Sequence, residues 1–209
     1  MAVILCFGDS ITYGYDPSTG GRFPAQNRWP DVMAERLGPG HTVITEALPG
    51  RTTVFDSPYA PARSGRDLLA PLLESHAPLD LVIIMLGTND LQVPLELSAR
   101  HSASGLWTLL DIVARSNAGP AAAAPLSLVI VPPAIRESTG FMGVFYAGRD
   151  AESLALPGHY ATICDAARVP YLVAGDHVEP SVSDGVHLDA DAQRVLGVAV
   201  ADRVAALLA

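Results

Sequence analysis

The most constraining feature of this 209-residue chain is an apolar run near its start that breaks abruptly into small and polar residues. Residues 3–7 (VILCF) show no polar alternation, which predicts a strand buried on both faces. Gly8 follows directly and permits a tight turn. Ser10 is therefore expected at the carboxyl end of a strand, the edge at which open α/β sheets bind ligands. From this stretch alone, Ser10 is as readily a helix cap as a nucleophile.

Two later segments place polar residues at comparable positions. Residues 81–86 (LVIIML) lead into the GTND sequence at 87–90, and the last loop before a long helical pattern carries DGVH at 184–187. A serine, an amide and an Asp/His pair would then meet at one edge of the sheet. Acyl transfer requires such a set: a nucleophile, a base, a residue that orients the base, and donors for the oxyanion.

Composition favours one well-filled domain over residues 1–209. The chain is 49% hydrophobic and 17% charged, and no shift in composition divides it. Its formal net charge of -9, without any basic cluster, argues against nucleic acid or an anionic membrane surface as partner. No apolar run reaches the roughly 20 residues that a membrane helix requires. A small neutral or weakly polar molecule is the expected partner.

The start of the chain and its cysteines bear on location. Since a strand begins at residue 3 and Ser10 follows at once, a functional Ser10 implies that no signal peptide has been removed. Cys6 lies in a strand and Cys164 in a helical pattern, as small core residues do, and a disulfide between them stays open as an alternative. We expect a reduced, cytoplasmic protein.

Strands and helices alternate along the rest of the chain. Further strands are predicted at 43–48, 81–86, 126–131 and 171–174, and helices at 30–37, 68–76, 106–113, 150–169 and 190–208. Pro71 and Pro157 predict a kink or break in two of these helices. Residues 134–148 are interpreted as an irregular loop that is unusually apolar at 141–146. This alternation predicts a parallel sheet with helices on both faces.

Four sequence blocks identify a family resemblance where a simpler motif fails. Residues 8–12 (GDSIT) lack the last glycine of the G-x-S-x-G nucleophile elbow. The chain instead resembles the SGNH or GDSL-type esterases in four blocks that span its length: Gly8-Asp9-Ser10, Gly50, Gly87-Thr88-Asn89-Asp90 and Asp184-Gly185-Val186-His187. Within that family, residues 4–10, 51–53 and 78–90 are most similar to small bacterial aryl esterases with acyltransferase and perhydrolase activity.

The resemblance implies a three-layer α/β/α flavodoxin-like fold with a five-stranded parallel sheet, and a role for several residues. Ser10 would be the nucleophile, His187 the general base and then acid, and Asp184 the residue that orients the imidazole. The backbone N–H groups of Ser10 and Gly50 and the side-chain amide of Asn89 would form the oxyanion hole. No cofactor or metal is implied.

Other polar residues near these blocks have ordinary structural explanations. Asp9 and Asp90 lie beside glycine-containing turns, where carboxylates usually accept backbone N–H bonds, so neither is assigned a chemical step. Asp176 and His177 lie close in sequence to Asp184 and His187, but their spacing matches no common metal motif.

Several aromatic residues are predicted to line the substrate pocket, namely Tyr13, Tyr15 and the aromatic residues at 141–146, which include Phe145. Aromatic residues beside turns also serve as ordinary packing, so this assignment competes with a structural one.

The leading functional interpretation is a serine esterase that hydrolyses small aryl or short-chain acyl esters through an acyl-enzyme, with acyltransferase or perhydrolase side activity. A carbohydrate acetyl esterase or a thioesterase would use the same machinery. A non-enzymatic, doubly wound ligand-binding module would need a glycine-rich phosphate loop, which residues 8–14 do not supply. The apolar residues at 141–146 predict self-association, and the resembled acyltransferases form closed homo-oligomers such as an octamer.

Overall fold

The computed structural model describes residues 1–209 and contains one five-stranded sheet. Its strands are β1 (Ala2–Gly8), β2 (His41–Ala47), β3 (Leu81–Met85), β4 (Leu126–Val131) and β5 (Tyr171–Val173). Neighbouring strands are all parallel and lie in the order β2-β1-β3-β4-β5. This is the flavodoxin-like order, so the predicted five-stranded parallel sheet is confirmed.

Helices cover both faces of the sheet. They are α1 (Ser10–Tyr13), α2 (Trp29–Leu37), α3 (Gly65–His76), α4 (Ala99–Arg115), α5 (Gly140–Tyr146), α6 (Asp150–Ala167) and α7 (Ala190–Leu208). Side chains of α3, α4 and α6 form one core cluster with the sheet, and those of α2 and α7 form a second. The predicted three-layer α/β/α architecture is therefore confirmed.

Strand β1 shows why its sequence lacks polar residues. Leu5 and Phe7 belong to the first core cluster, Ile4 and Cys6 belong to the second, and all four are fully buried. Successive side chains of a strand point to opposite faces, so a strand covered on both faces must be apolar throughout.

The strand order reverses between β1 and β3, and this reversal positions the candidate site. The chain passes from β1 to β2 on one side, then crosses to β3 on the other. Doubly wound sheets open a crevice at the carboxyl ends of the strands where the order reverses. Ser10 follows β1 and Asn89 follows β3, so the two residues approach this crevice from its two sides.

Two prolines lie inside helices without dividing them. Helix α3 contains Pro71 and α6 contains Pro157, and each helix is continuous between its ends. Of the predicted kink or break, the break is excluded, because a proline removes only one N–H and both helices continue into the core beyond it, whereas the kink stays a prediction. Leu73 and Tyr160, shortly after the two prolines, are fully buried.

Residues 134–148 contain helix α5, so the prediction of an irregular loop is wrong for Gly140–Tyr146. Gly140 and Gly143 have weak helical propensity and obscured the pattern. Tyr146 is buried with Ile135 and Val186 in a small third cluster, against which two further apolar residues of α5 pack. Tertiary contacts thus select the helix, and most of its apolar residues are at least partly buried.

The two cysteines are free, which removes the disulfide alternative. Cys6 belongs to the second core cluster and Cys164 to the first, so the sheet lies between them. Separately, none of the helices has the length and apolar character needed to cross a membrane.

Candidate active site at the carboxyl edge of the sheet

Ser10 is the first residue of α1, directly after β1. Asp9 caps this short helix, since its Oδ1 accepts a hydrogen bond from the Ile11 N–H at 2.9 Å. A Cβ at Gly8 would lie 2.1 Å from Thr12 Oγ1, so only glycine fits where the strand turns into the helix. This local structure holds Ser10 at the edge of the sheet.

A chain of hydrogen bonds joins Ser10, His187 and Asp184. His187 Nε2 lies 2.9 Å from Ser10 Oγ, and His187 Nδ1 lies 2.6 Å from Asp184 Oδ2. All three residues are buried. When Nδ1 carries its proton toward the carboxylate, Nε2 is free to accept the hydroxyl proton of Ser10.

The loop that carries Asp184 and His187 is folded by the same carboxylate. Asp184 Oδ1 accepts hydrogen bonds from the N–H groups of Val186 and His187, both at 2.9 Å. Gly185 adopts a φ of +77°, and a Cβ there would lie 2.6 Å from the carbonyl oxygen of Glu137. The three-residue spacing therefore forms a self-supporting turn that needs glycine at its second position.

The electrostatics of this turn favour a charged carboxylate. Burial raises the pKa of Asp184, but hydrogen bonds from the His187 side chain and from the Val186 and His187 N–H groups outweigh burial, and the net pKa is lowered. Asp184 is thus ionised at neutral pH and can stabilise an imidazolium. On another side of the imidazole, the Tyr15 ring packs with its centroid 4.3 Å from that of His187.

Two backbone N–H groups beside Ser10 are available as donors. The Ser10 N–H opens α1, where an N–H has no partner within the helix. Gly50 adopts a φ of +81° in the connection after β2. Neither N–H group is the donor in any backbone hydrogen bond of the turns, loops and caps. Both residues line the same cavity. Such donors can stabilise a developing oxyanion.

Asn89 lies in the same cavity, but its amide is fully hydrogen-bonded. Its Nδ2 donates to Asp9 Oδ2 and to the Arg51 carbonyl oxygen, both at 3.1 Å. Its Oδ1 accepts from Gln92 Nε2 at 3.0 Å and from the Tyr146 hydroxyl at 3.1 Å. An oxyanion must therefore share or replace one of the acceptors of Nδ2. The sequence analysis places Tyr146 among the aromatic residues predicted to line the pocket but predicts no contact with Asn89, and it does not single out Gln92.

Asp9 and Asp90 lie beneath these groups, and each accepts a backbone N–H as predicted. The donors are the Ile11 and Thr53 N–H groups. Burial raises the pKa of each carboxyl to about 6, against the opposing effect of their hydrogen bonds. Asp9 differs from the prediction in one respect, because its second oxygen accepts from Asn89 and so reaches the site.

Arg51 is a buried cation to which the sequence pattern assigned no role. Its Nη1 donates to the carbonyl oxygens of Gly8 at 2.8 Å and Glu46 at 2.5 Å, and its guanidinium lies 4.2 Å from the centroid of the Phe7 ring. Burial lowers the pKa of Arg51 to about 10. These contacts tie the loop that contains Gly50 to the end of β1.

The cavity in front of the hydrogen-bonded chain has a volume of about 240 Å³ and is mostly apolar. Its lining residues come from five parts of the chain: Ser10, Tyr15, Pro49, Gly50, Asn89, Gln92, Phe141, Met142, Phe145, Tyr146 and His187. Tyr15 and Phe145 therefore lie where the pocket prediction puts them.

Tyr13 does not line this cavity, contrary to the prediction. Its ring instead faces the Arg22 guanidinium at 4.2 Å, and Arg22 Nε donates to the Tyr13 carbonyl oxygen at 2.8 Å. Because residues 10–13 form a helical turn, the side chains of Tyr13 and Ser10 point in different directions. The sequence analysis predicted no helix here and so did not anticipate this difference.

A larger cavity of about 510 Å³ lies elsewhere, at the amino ends of β4 and β5. Trp107, Leu126 and Pro170 contribute to its walls, but no serine and histidine pair faces it. The hydrogen-bonded serine and histidine lie at the smaller cavity, which is therefore the candidate active site. No group of three or more His, Cys, Asp or Glu side chains is arranged to hold a metal ion.

The fold and this site define a class of protein. The parallel sheet is the middle layer of an α/β/α fold. At its carboxyl edge a serine is hydrogen-bonded to a histidine, and the histidine is hydrogen-bonded in turn to a carboxylate. This is the architecture of a serine hydrolase. Residues 6–195 match the model of the GDSL-like lipase/acylhydrolase family, and the chain belongs to that family.

Solved structures of esterases superpose on nearly the whole chain. Est24, a carbohydrate acetylesterase from Sinorhizobium meliloti, shares 38% identity with a TM-score of 0.95, over 99% of this chain and 100% of its own. The aryl esterase of M. smegmatis, in an inhibitor-bound form, shares 34% identity with a TM-score of 0.95, over the same fractions of the two chains. The protein is thus an esterase of the SGNH type. The comparison with curated proteins finds no match.

Proposed function

We propose that this esterase hydrolyses small carboxylic esters with Ser10 as nucleophile, His187 as general base and acid, and Asp184 as the residue that orients His187. The supporting observation is the hydrogen-bonded chain from Ser10 Oγ to His187 Nε2 at 2.9 Å and from His187 Nδ1 to Asp184 Oδ2 at 2.6 Å. We also infer one catalytic domain over residues 1–209, because the two core clusters lie on the two faces of one sheet and together draw on residues from Val3 to Leu208.

The reaction would proceed through an acyl-enzyme. Ser10 Oγ attacks the ester carbonyl carbon while its proton passes to His187 Nε2, and the carbonyl becomes an oxyanion. The oxyanion collapses, the ester C–O bond breaks, and His187 returns the proton to the departing alcohol or phenol. Water then attacks the acyl-enzyme with His187 again as base, and the products are the free acid and restored Ser10.

The oxyanion is proposed to lie against the backbone N–H groups of Ser10 and Gly50. Both are free donors at the cavity, which supports this position. Asn89 is proposed as the third donor. To contribute, its Nδ2 group must share with the oxyanion a hydrogen now directed at Asp9 or at the Arg51 carbonyl oxygen.

The substrate is proposed to be small and partly apolar, with a short acyl group or an aryl leaving group. A cavity of about 240 Å³ lies below the roughly 300–1,000 Å³ typical of drug-sized ligands. Aromatic side chains at Tyr15, Phe141 and Phe145 supply apolar walls that suit an aryl ester. Initial rates with aryl acetates against aryl esters of longer acids test this proposal, and a preference for long acyl chains would contradict it.

A carbohydrate acetyl ester is the second candidate substrate. It is favoured by the 38% identity with Est24 over almost the full length of both chains. An acetyl group fits the same small cavity, while the sugar would lie outside it. Acetic acid release from an acetylated sugar and from phenyl acetate, compared at equal concentrations, separates the two candidates.

Acyl transfer to an alcohol or peroxide is proposed as a side activity. Apolar walls beside His187 would lower the advantage of water over a small alcohol at the acyl-enzyme. The test supplies a short-chain ester with a primary alcohol in water and measures the ratio of new ester to free acid. Hydrolysis in simple proportion to the water content would exclude a transfer preference.

Nucleophile identity has a direct test with a matched control. A fluorophosphonate probe should label the wild-type protein stoichiometrically at Ser10 and fail to label Ser10→Ala. Ser104→Ala, an exposed serine on α4, is the control and should label like wild type. Labelling of Ser10→Ala to the same extent would assign the nucleophile elsewhere.

Self-association is also proposed, because apolar side chains surround the cavity mouth. Phe141 and Val144 on α5 are 71% and 73% exposed, and the exposed Tyr59 packs edge-on against Phe145. A second copy of the chain could cover this surface. Sedimentation at micromolar concentration should give a mass above 21.9 kDa. Phe141→Ser should weaken the assembly, whereas Val182→Ser, at an exposed position that does not line the cavity, should not.

A further inference from the structure

Tyr146, the last residue of helix α5, is buried and its hydroxyl contacts the side chain of Asn89. It is 3% exposed, and its hydroxyl donates to Asn89 Oδ1 at 3.1 Å. The two residues are 57 positions apart in the chain, so only the folded structure brings them together. Burial raises the pKa of Tyr146, which keeps the hydroxyl protonated and able to donate.

The hydrogen bonds around Asn89 define one orientation of its amide. A backbone carbonyl such as that of Arg51 can only accept, so it requires the NH₂ group on its side. Oδ1 then points toward Tyr146, where it needs a donor. Gln92 Nε2 provides a second donor to the same oxygen at 3.0 Å. Reversal of the amide would set NH₂ against these donors and leave the Arg51 carbonyl oxygen without its bond.

Helix α5 carries both this hydroxyl and part of the cavity wall. Phe141, Met142 and Phe145 line the cavity, and Tyr146 follows directly in the chain. Tyr146 packs with Ile135 in the small third cluster, which anchors the end of the helix. The helix therefore connects the surface that would contact substrate with the amide that would contact the oxyanion.

We propose that Tyr146 is a positioning residue for the oxyanion hole, acting through the side-chain amide of Asn89. This inference rests on the proposed esterase mechanism. The hydroxyl holds Oδ1 and so keeps the NH₂ group of the amide directed toward Asp9 Oδ2 and the Arg51 carbonyl oxygen, where an oxyanion would meet it. Donation to Oδ1 also polarises the amide and strengthens its N–H groups as donors, since hydrogen bonds in chains reinforce one another.

The effect belongs to the transition state and the tetrahedral intermediate, because the bound ester carries no oxyanion. Tyr146→Phe keeps the ring and removes the hydroxyl, so packing in the cavity is nearly unchanged. We expect kcat to fall by about tenfold, as befits the loss of one buried hydrogen bond, while KM changes by less than about twofold. A residue that only shaped the pocket would alter KM instead.

The decisive test is a double-mutant cycle on hydrolysis of an aryl acetate. Wild type, Tyr146→Phe, Asn89→Ala and the double variant are compared by kcat and KM. Since Tyr146 acts through Asn89, Tyr146→Phe should cost less than about twofold when Asn89 is already alanine. Tyr171→Phe is the matched control. Tyr171 lies at the start of β5, does not line the cavity, and its substitution should leave wild-type kinetics.

Each outcome supports or overturns the inference. Unchanged kcat in Tyr146→Phe, a loss confined to KM, or an equal loss in the Asn89→Ala background would overturn it. Should Tyr146→Phe fail to fold, Gln92→Leu removes the other donor to Oδ1 and must show the same non-additive loss of kcat. Activity that persists in Ser10→Ala would instead refute the proposed mechanism, so the two failures are distinguishable.

Discussion

Asp90→Asn should flatten part of the pH dependence of folding stability. Asp90 is fully buried and accepts hydrogen bonds from the Thr53 N–H at 2.8 Å, the Thr53 hydroxyl at 2.7 Å and the Ser102 hydroxyl at 2.6 Å. Asparagine has nearly the same shape. Its oxygen can keep the Thr53 N–H bond, and the two hydroxyl groups can turn to accept from its NH₂ group. The substitution therefore removes the ionisation while the contacts survive.

The magnitude follows from the pKa of the buried carboxyl. Burial raises the pKa of Asp90 from 3.8 to about 6, and this difference corresponds to about 3 kcal/mol. Because the folded state holds the proton more tightly than the unfolded chain, the contribution is fully present below pH 3.8 and is lost as the pH rises through about 6. Wild type should thus lose about 3 kcal/mol relative to Asp90→Asn from well below pH 3.8 to well above pH 6, and somewhat less over the part of this range above pH 4.

Urea unfolding at pH 4, 5, 6 and 7 measures this difference. The free energy of unfolding of wild type minus that of Asp90→Asn should fall with pH and level off above pH 7. Asp165→Asn, an exposed position on α6, controls for the loss of one carboxylate and should track wild type within about 0.5 kcal/mol. A difference that stayed constant would refute the raised pKa. A difference that grew with pH would mean that the folded state favours the ionised carboxylate.

Three further substitutions test the site. Ser10→Ala should lower kcat for an aryl acetate by ~10⁴-fold with an unchanged circular dichroism spectrum; a loss of only tenfold would exclude Ser10 as nucleophile. Asn89→Ala should lower kcat by on the order of 10²-fold, measured in the same assay, and a change in KM alone would make Asn89 a binding residue. Gly185→Ala should destabilise the protein by about 1–3 kcal/mol in urea unfolding, because a Cβ would meet the Glu137 carbonyl oxygen and φ is positive; unchanged stability would mean that the turn can relax.

The sheet and the polar ends of its strands were predictable because their signals are local. The apolar run before Ser10 and the run before Asn89 each identify a strand buried on both faces. Parallel strands align their carboxyl ends, so residues that follow two such strands are expected to meet. The turn from Asp184 to His187 is also local, because its hydrogen bonds span three residues at most.

The parts that escaped prediction depend on contacts distant in sequence. Helix α5 contains two glycines in seven residues and forms against the rest of the molecule, so its pattern resembled a loop. Tyr146 reaches Asn89 only through the docking of that helix. The prediction for Tyr13 was wrong for a local reason. The single helical turn that begins at Ser10 directs the Tyr13 side chain toward Arg22 and away from the cavity.

The arrangement beneath the cavity explains how a donor on one strand end can be aligned with a nucleophile on another. Asp9 uses one oxygen to cap the helix that begins with Ser10 and the other to accept from Asn89. One carboxyl group therefore fixes the separation between Ser10, the proposed nucleophile, and Asn89, the proposed side-chain donor. On the far side of the amide, Tyr146 and Gln92 hold its oxygen. Because both ends of the amide are held by hydrogen bonds within the protein, its orientation is set before substrate arrives, and electrostatic catalysis depends on such preorganisation.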